Sequence, residues 1–304
     1  MRVSTNMMFT QGLNALQRQQ TAISDAQKEI SSGRKNMDPA SDPVGYSTAS
    51  NLEISNKRLA QYERNIDFAR GKLELQEGVL ANATDALQRV KEIGIEANNS
   101  LKQGDSANTP SRQALIDELT QLKDMILGQA NTRDERGEYV FAGTAGNQAP
   151  YDPDGEFQLA AAGTMSVEVA EGRKVDVYRP ADEVFNYGAN ADDSVITAVQ
   201  DMIDSLGADP VDTATLNTAQ QNVDQAFDRV VTARGQIGNS LSTLDRAFED
   251  NDLQKLANDK ALSDLRDTDY ADAITRLNLS MTTMQATQQT ISKTQSLSLF
   301  NFIG

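Results

Sequence analysis

A seven-residue repeat of leucine and isoleucine constrains this chain more than any other feature. Within residues 44–109, which contain no proline, Leu or Ile stands at every seventh position for six consecutive positions. Proline costs about 3 kcal/mol inside a helix, so a long proline-free stretch is free to form one helix. A seven-residue repeat that persists makes such a helix wind around partner helices. The series is Leu52, Leu59, Ile66, Leu73, Leu80 and Leu87, and it lapses at Gly94.

A second proline-free stretch, residues 211–304, repeats the pattern. Its series is Leu216, Val223, Val230, Ile237 and Leu244. Alanine fills most of the positions three residues after these, and small residues let two helices approach closely. We therefore predict that the two series form the core of one helical bundle.

The segment between the two helical stretches has a different composition. Residues 139–187 hold seven of the sixteen Phe and Tyr of the chain. Val167, Val169, Val175 and Val177 alternate with polar residues on both sides of Glu171-Gly172, which is typical of a β-hairpin.

The predicted fold is therefore mainly α. It is an elongated coiled-coil helical rod made from the N- and C-terminal halves, with a small β-rich domain inserted in the middle. The expected boundaries are a terminal coiled-coil domain of residues 1–33 and 268–304, a rod domain of residues 44–140 and 192–267, and an inserted domain of residues 141–191.

Composition excludes many kinds of chemistry. The chain has no Cys and no His, which rules out disulfides, Cys/His zinc sites and a Ser-His-Asp triad. Asp152, Asp154 and Glu156 could bind calcium, but their spacing does not fit an EF-hand and instead fits a Pro-Asp-Gly turn. We therefore predict no catalytic, cofactor or metal site and no enzymatic activity.

Charge and hydropathy limit the partners. The net charge of −16 repels nucleic acid and anionic membranes, so neither is an expected partner. No run of 18 apolar residues could span a bilayer, and the N-terminus lacks the pattern of a cleaved signal peptide.

The two ends of the chain resemble each other in composition. Residues 1–24 and 273–304 contain no acidic residue, are rich in Gln, Ser, Thr and Asn, and carry weak heptads. Helices with so few apolar residues are marginal alone, so we expect them to pair with each other and with copies of themselves. The predicted assembly residues are Phe9, Leu13, Leu16, Ile23, Ile30, Ile274, Leu277, Met281, Met284, Ile291, Leu297 and Phe300.

One segment resembles a known family. The stretch ISSGRKNMDPASDPVGYSTA, residues 30–49, is similar to the N-terminal segment of the flagellin superfamily. Its residues also have a physical explanation, because Gly33 would stop the first helix and Asp42 would cap the second, with Pro43 at its first position. The opening MRVSTNMMF, the segment YVFAGT at 139–144 and the ending SLSLFNFIG resemble the hook-associated protein 3 family more closely.

The resemblance implies a structural subunit of the bacterial flagellum. In this family the terminal helices form an inner domain that lines the filament channel, and the inserted domain projects outward. The implied partners are the first hook-associated protein, flagellin, copies of the chain in a ring and a flagellar type III export chaperone. The implied location is extracellular, after export without a cleaved signal. We also expect the terminal helices to fold as the subunits assemble.

Two other functions remain open. A short flagellin would share the fold, but Pro43-Val44 and the Phe-Asn-Phe-Ile ending depart from the flagellin pattern. A cytoplasmic helical signalling rod would suit heptads with small residues, but it would not explain the β insertion or the paired ends.

Overall fold

Helices make up most of the chain. The computed structural model describes residues 2–35, 39–40, 42–102, 110–159, 163–188 and 193–303, without the side chains of 2–6, 8–9, 100–102 and 294–303. The elements are α1 (Arg2–Ser32), α2 (Pro43–Lys102), α3 (Pro110–Ala130), β1 (Ser166–Ala170), β2 (Arg173–Asp176), α4 (Ala181–Phe185), α5 (Val195–Gly207), α6 (Thr213–Arg266) and α7 (Tyr270–Ile303). The predicted fold class, long helices with a small β region between them, is confirmed.

The first two helices end and begin as the sequence predicts. Gly33 ends α1 with a left-handed φ of 69°, and its N–H donates to the carbonyl of Glu29 at 2.8 Å. Asp42 caps α2, because its Oδ1 accepts the N–H of Gly45 at 2.8 Å. Pro43 occupies the first helical position, where its missing N–H costs nothing.

The chain divides into two compact units. Residues 1–58 and 253–304 form one, called here the terminal unit, and residues 59–252 form the other, called the central unit. Both α2 and α6 therefore contribute to each unit. The three-part division at residues 33, 141 and 191 remains a prediction.

The heptad series of α2 and α6 form the core of the central unit. The two helices run antiparallel, with ion pairs Glu77–Arg234 at 2.6 Å and Arg70–Asp245 at 2.7 Å between them. The buried members of the two series are Leu59, Ile66, Leu73, Leu80, Leu87, Leu216, Val223, Val230, Ile237 and Leu244. Leu52, the first member, lies in the terminal unit and is only partly buried.

The lapse of the series at Gly94 has a packing reason. A Cβ at this position would lie 3.0 Å from Cε of Met202 on α5 and 3.1 Å from Nε2 of Gln220 on α6. The Gln220 amide also donates to the carbonyl of Gly94. A larger residue would therefore push both neighbours away from α2.

Side-chain amides of the long helices hold the β-hairpin. Strands β1 and β2 pair antiparallel, with Val167 opposite Val175. Asn65 on α2 donates to the carbonyl of Glu168 at 2.7 Å, and Asn251 on α6 donates to the carbonyl of Val169 at 2.8 Å. Both helices therefore satisfy carbonyls of β1.

The aromatic segment shares the core of the helices. The rings of Phe141 and Phe185 pack edge to face with their centroids 5.1 Å apart. The ring centroid of Tyr151 lies 6.4 Å from that of Phe185. These rings belong to the same buried cluster as Leu80 and Met202. In the part of the chain that the structure describes, residues 141–191 therefore have no separate hydrophobic core.

A largely buried ion pair fixes the turn that follows α3. Lys72 on α2 donates to Oδ2 of Asp134, and the other carboxylate oxygen accepts the N–H groups of Arg136 and Glu138 at 2.8 and 3.0 Å. Burial alone would raise the pKa of Asp134, but these hydrogen bonds outweigh it and hold the pKa below its ordinary value.

We expect Leu80→Ala to lower the free energy of unfolding by about 2–5 kcal/mol, because the side chain is fully buried in the α2–α6 core. The matched control is Leu75→Ala on the same helix, at a position whose side chain is 36% exposed. We expect it to cost less than about 1 kcal/mol. Urea denaturation followed by circular dichroism measures both, and equal losses would mean that the assigned core is wrong.

The Asp134 carboxylate also predicts a pH dependence. A carboxyl whose pKa is lower in the folded state stabilises the fold above its unfolded pKa, and this contribution is lost as the pH falls through the folded pKa. Wild type should therefore lose stability on acidification below the ordinary Asp pKa of 3.8, and Asp134→Asn should lose less. Thermal melts across this acidic range measure the difference, and parallel curves would contradict the prediction.

Candidate assembly surface

Helices α1 and α7 form an antiparallel pair in the terminal unit. At one end, a Cβ on Gly12 would lie 3.0 Å from the side chain of Ile291. At the other end, Nη2 of Arg276 donates to Oε2 of Glu29 at 2.7 Å. The pairing of the two chain ends is therefore present within one chain.

A short backbone junction joins the end of α1 to the start of α7. The N–H of Lys35 donates to the carbonyl of Arg266 at 2.7 Å, and that of Thr268 donates to the carbonyl of Gly33 at 3.0 Å. A Cβ on Gly33 would lie 2.8 Å from the hydroxyl oxygen of Tyr270. Only glycine suits this position, since the left-handed φ and the close approach both exclude a side chain.

The predicted assembly residues fall into three groups. The partly buried ones are Leu16, Ile23, Ile30, Leu277, Met284 and Ile291, which are the seventh-position series of each helix. The exposed ones are Leu13, Ile274 and Met281. The side chains of Phe9, Leu297 and Phe300 lie outside the described residues.

Small and polar residues complete the α1–α7 interface, and the heptad pattern of the sequence did not predict them. On α1, Gly12 and Gln19 are partly buried and Ala26 is buried. The residues expected at the interface, Leu13, Gln20 and Gln27, are exposed. On α7 the corresponding residues are Ala273, Ser280 and Thr287. Each of these residues stands three positions after a heptad position. The small residues in the core of α2 and α6 have the same spacing.

The terminal unit buries little apolar surface. Among its described residues, the apolar ones that are fully buried are Ala26, Ala49 and Ala273. Its exposed large apolar residues are Met7, Leu13, Val44, Tyr46, Ile54, Leu253, Leu256, Tyr270, Ile274, Leu279 and Met281. The terminal unit therefore leaves many large apolar side chains in solvent, while its fully buried apolar residues are alanines.

The two units also differ in charge. The terminal unit carries 12 Lys and Arg and 10 Asp and Glu, whereas the central unit carries 16 and 34. The net negative charge of the chain therefore comes from the central unit, since the terminal unit has a small positive net charge. Copies of the nearly neutral terminal unit can approach one another without strong repulsion.

Within the described ranges, no group of three or more carboxylates is arranged to hold a metal ion. A search of the described helices for a membrane-spanning segment found none that is long and apolar enough.

Family models match both ends of the chain. The bacterial flagellin N-terminal helical region matches residues 3–146, and the flagellin C-terminal helical region matches residues 220–303. The chain belongs to the bacterial flagellin family.

Individual proteins show more specifically what this chain is similar to. Flagellar hook-associated protein 3 of Escherichia coli strain K12 is 27% identical over 99% of both chains. Flagellin of Bacillus subtilis strain 168 is 22% identical over 96% of both. The crystal structure of the flagellar junction protein of Legionella pneumophila superposes with a TM-score of 0.56, at 17% identity, over 72% of this chain and all of that one.

These findings confirm the resemblance to hook-associated protein 3 that the two ends of the sequence suggested. The flagellin-family chain is a component of the bacterial flagellum and belongs to a family of structural proteins.

We expect Arg276→Ala to loosen the α1–α7 pair, because the ion pair between Arg276 on α7 and Glu29 on α1 would be lost. For a half-exposed arginine the loss is roughly 1 kcal/mol, or about fivefold faster amide exchange in α7. The control is Lys28→Ala, which breaks an exposed ion pair with Asp25 at 3.6 Å. Hydrogen exchange measures both, and equal protection in the two variants would mean that the Glu29–Arg276 pair does not hold the helices.

Proposed function

We propose that this chain is the structural subunit that joins the flagellar hook to the flagellin filament. Its partners would be the first hook-associated protein on one side, flagellin on the other, and copies of itself in a ring. The names of its relatives support the location, since one is a hook-associated protein and another a junction protein.

The observation that carries the assembly role is the uneven burial of apolar residues. The described large side chains that are fully buried, such as Leu80 and Phe141, lie in the central unit. Leu13, Ile274 and Met281 in the terminal unit are at least 42% exposed. A helix pair with this distribution gains stability when further copies cover it.

We propose that folding of the terminal helices is coupled to assembly. Ordering each residue costs about 1–2 kcal/mol in backbone entropy, and residues 1–33 and 268–304 offer little fully buried surface to offset it. Neighbouring copies would supply that surface. The coupling keeps an exported chain from assembling early and leaves its ends available to an export chaperone.

The remaining family features complete the proposal. The segments 1–33 and 268–304 would form the inner, channel-lining domain, residues 44–140 and 192–267 the rod, and residues 141–191 the outward side. Export would use the flagellar type III pathway without a cleaved signal and would place the chain outside the cell. The chain would have no enzymatic activity.

A filament subunit is the second candidate function. The match to Bacillus subtilis flagellin, which covers 96% of both chains, favours it. A filament subunit would be present along the whole filament, whereas a junction subunit would be present only at the hook.

Deletion of the gene tests the proposal. Electron microscopy should show hooks without filaments, and flagellin should appear in the medium because it has no junction on which to assemble. Filaments of normal length would overturn the junction role. If the deletion strain has no filaments and the filaments of wild-type cells consist of this chain, the filament function is correct instead.

Complementation of the deletion tests the assembly surface. We expect Met281→Asp to leave bare hooks, because it would bury a charge in the contact between copies. The matched control is Met125→Asp on α3, since Met125 is 51% exposed in the central unit and Met281 is 43% exposed in the terminal unit. The control should restore filaments, and equal restoration by both variants would exclude the α1–α7 surface.

A further inference from the structure

A buried glutamine on α2 holds the chain on both sides of the β-hairpin. Gln76 is 0% exposed. Its side-chain amide donates to the carbonyl of Val140, which precedes the hairpin, at 3.0 Å and to that of Arg179, which follows the hairpin, at 3.3 Å. One side chain therefore attaches both segments to α2.

These two hydrogen bonds fix the orientation of the Gln76 amide. Both partners are carbonyl oxygens, so the amide nitrogen must face them and the amide oxygen must point elsewhere. Among the described residues, the buried Oε1 of Gln76 has no hydrogen-bond partner. A buried acceptor without a partner is costly, so a hydrogen-bond donor is expected at this position.

Two other buried atoms of this region also lack a partner within the described ranges. One is Nε of Arg179, the residue whose carbonyl accepts from Gln76. The other is Oδ1 of Asp182, three residues further along the chain. The guanidinium of Arg179 contacts Glu183 through Nη1 at 3.5 Å, which leaves its Nε–H as a donor.

A backbone contact keeps these groups together. The N–H of Ala181 donates to the carbonyl of Phe141 at 2.8 Å, next to the Val140 carbonyl that accepts from Gln76. Ala181 lies between the two residues that carry the other unpartnered atoms. The three atoms are therefore gathered where residues 179–182 pack on α2.

The neighbouring tyrosine does not supply the donor that Asp182 needs. Tyr151 is 1% exposed, and its hydroxyl donates to Oδ1 of Asn186 at 2.9 Å. Burial raises the pKa of Tyr151, and the charge of Asp182 raises this pKa further. The Asp182 carboxylate therefore lies close to a buried ring whose hydroxyl proton is already used.

We propose that a buried water molecule binds in this cluster and bridges Gln76, Arg179 and Asp182. The three atoms are two acceptors and one donor, and a water molecule both donates and accepts. Buried water typically makes about three hydrogen bonds to polar groups that lack other partners. The water completes the attachment of the segments around the hairpin to α2.

A charged ligand does not suit the same three atoms. A cation could bind the two oxygens, but the Arg179 guanidinium would repel it, and the Nε–H would stay buried without an acceptor. An anion could accept from Nε, but the Asp182 carboxylate would repel it. A small neutral molecule that donates twice and accepts once satisfies all three atoms, and water has this chemistry.

Oxygen-17 magnetic relaxation of the full-length chain tests the proposal, because it counts long-lived internal waters. Asp182→Asn keeps a side-chain oxygen, whereas Asp182→Leu has the same branching but places a methyl group there. We expect the count to stay the same in Asp182→Asn and to fall by about one in Asp182→Leu. Circular dichroism checks that both variants fold. An unchanged count in folded Asp182→Leu would overturn the proposal.

A second measurement uses wild type and does not depend on the folding of Asp182→Leu. The Nε–H of Arg179 should show a nuclear Overhauser effect to a long-lived water in the spectrum of the full-length chain. Arg179→Lys has no Nε–H, so the loss of the signal in this variant assigns it. If the assigned Nε–H shows no such effect, the proposal is wrong.

Exchange of the salt distinguishes water from a cation. The melting temperature of wild type should be the same in sodium, potassium and choline chloride at one ionic strength. A higher value in sodium or potassium chloride, lost in Asp182→Asn, would mean that a cation binds and would overturn the proposal. These outcomes concern the central unit and leave the assembly function as it stands.

Discussion

Burial of one leucine and isoleucine series between antiparallel helices is the constraint on which the central unit depends. The side chains from Leu59 to Leu87 on α2 meet those from Leu216 to Leu244 on α6, and most of them are fully buried. The alanines three residues further along let the backbones approach closely. Ion pairs such as Glu77–Arg234 flank this seam, but they are partly exposed and stabilise it little. The register of the two helices is therefore set mainly by packing, and the other elements attach to a surface that this packing has already fixed.

The β-hairpin and the aromatic residues depend on that surface in a direct way. A two-stranded sheet is not stable by itself in water. Here the carbonyls of Glu168 and Val169 accept hydrogen bonds from amides on α2 and α6, and Gln76 donates to the carbonyls of Val140 and Arg179 at 3.0 and 3.3 Å. Gln76 occupies a core position of the α2 heptad, where an apolar residue would be expected. A polar side chain at this position makes sense because it satisfies backbone groups that the helices would otherwise cover.

The terminal unit has the opposite distribution of large apolar side chains. Its described helices bury alanines and leave large apolar side chains such as Met281 and Leu256 in solvent. Ordering such helices in a single chain buries little apolar surface and so contributes little free energy. An assembly of copies would bury the apolar surface that one chain leaves exposed. The separation of charge supports the same division, since the acidic residues are concentrated in the unit that has its own core.

The sequence alone determined the long helices α1, α2 and α6, the boundary between α1 and α2, and the central core, but it did not predict α4 or α5. The seven-residue spacing of the α2 series is local information, as are the stop at Gly33 and the cap at Asp42, because each depends only on neighbours along the chain. The tertiary structure decided which side of each terminal helix is covered. Gly12 lies at the α1–α7 interface and Leu13 does not, because close approach favours small residues over large apolar ones. It also decided that aromatic residues such as Phe141 join the helical core, since contacts between distant segments leave no periodic signal in the sequence.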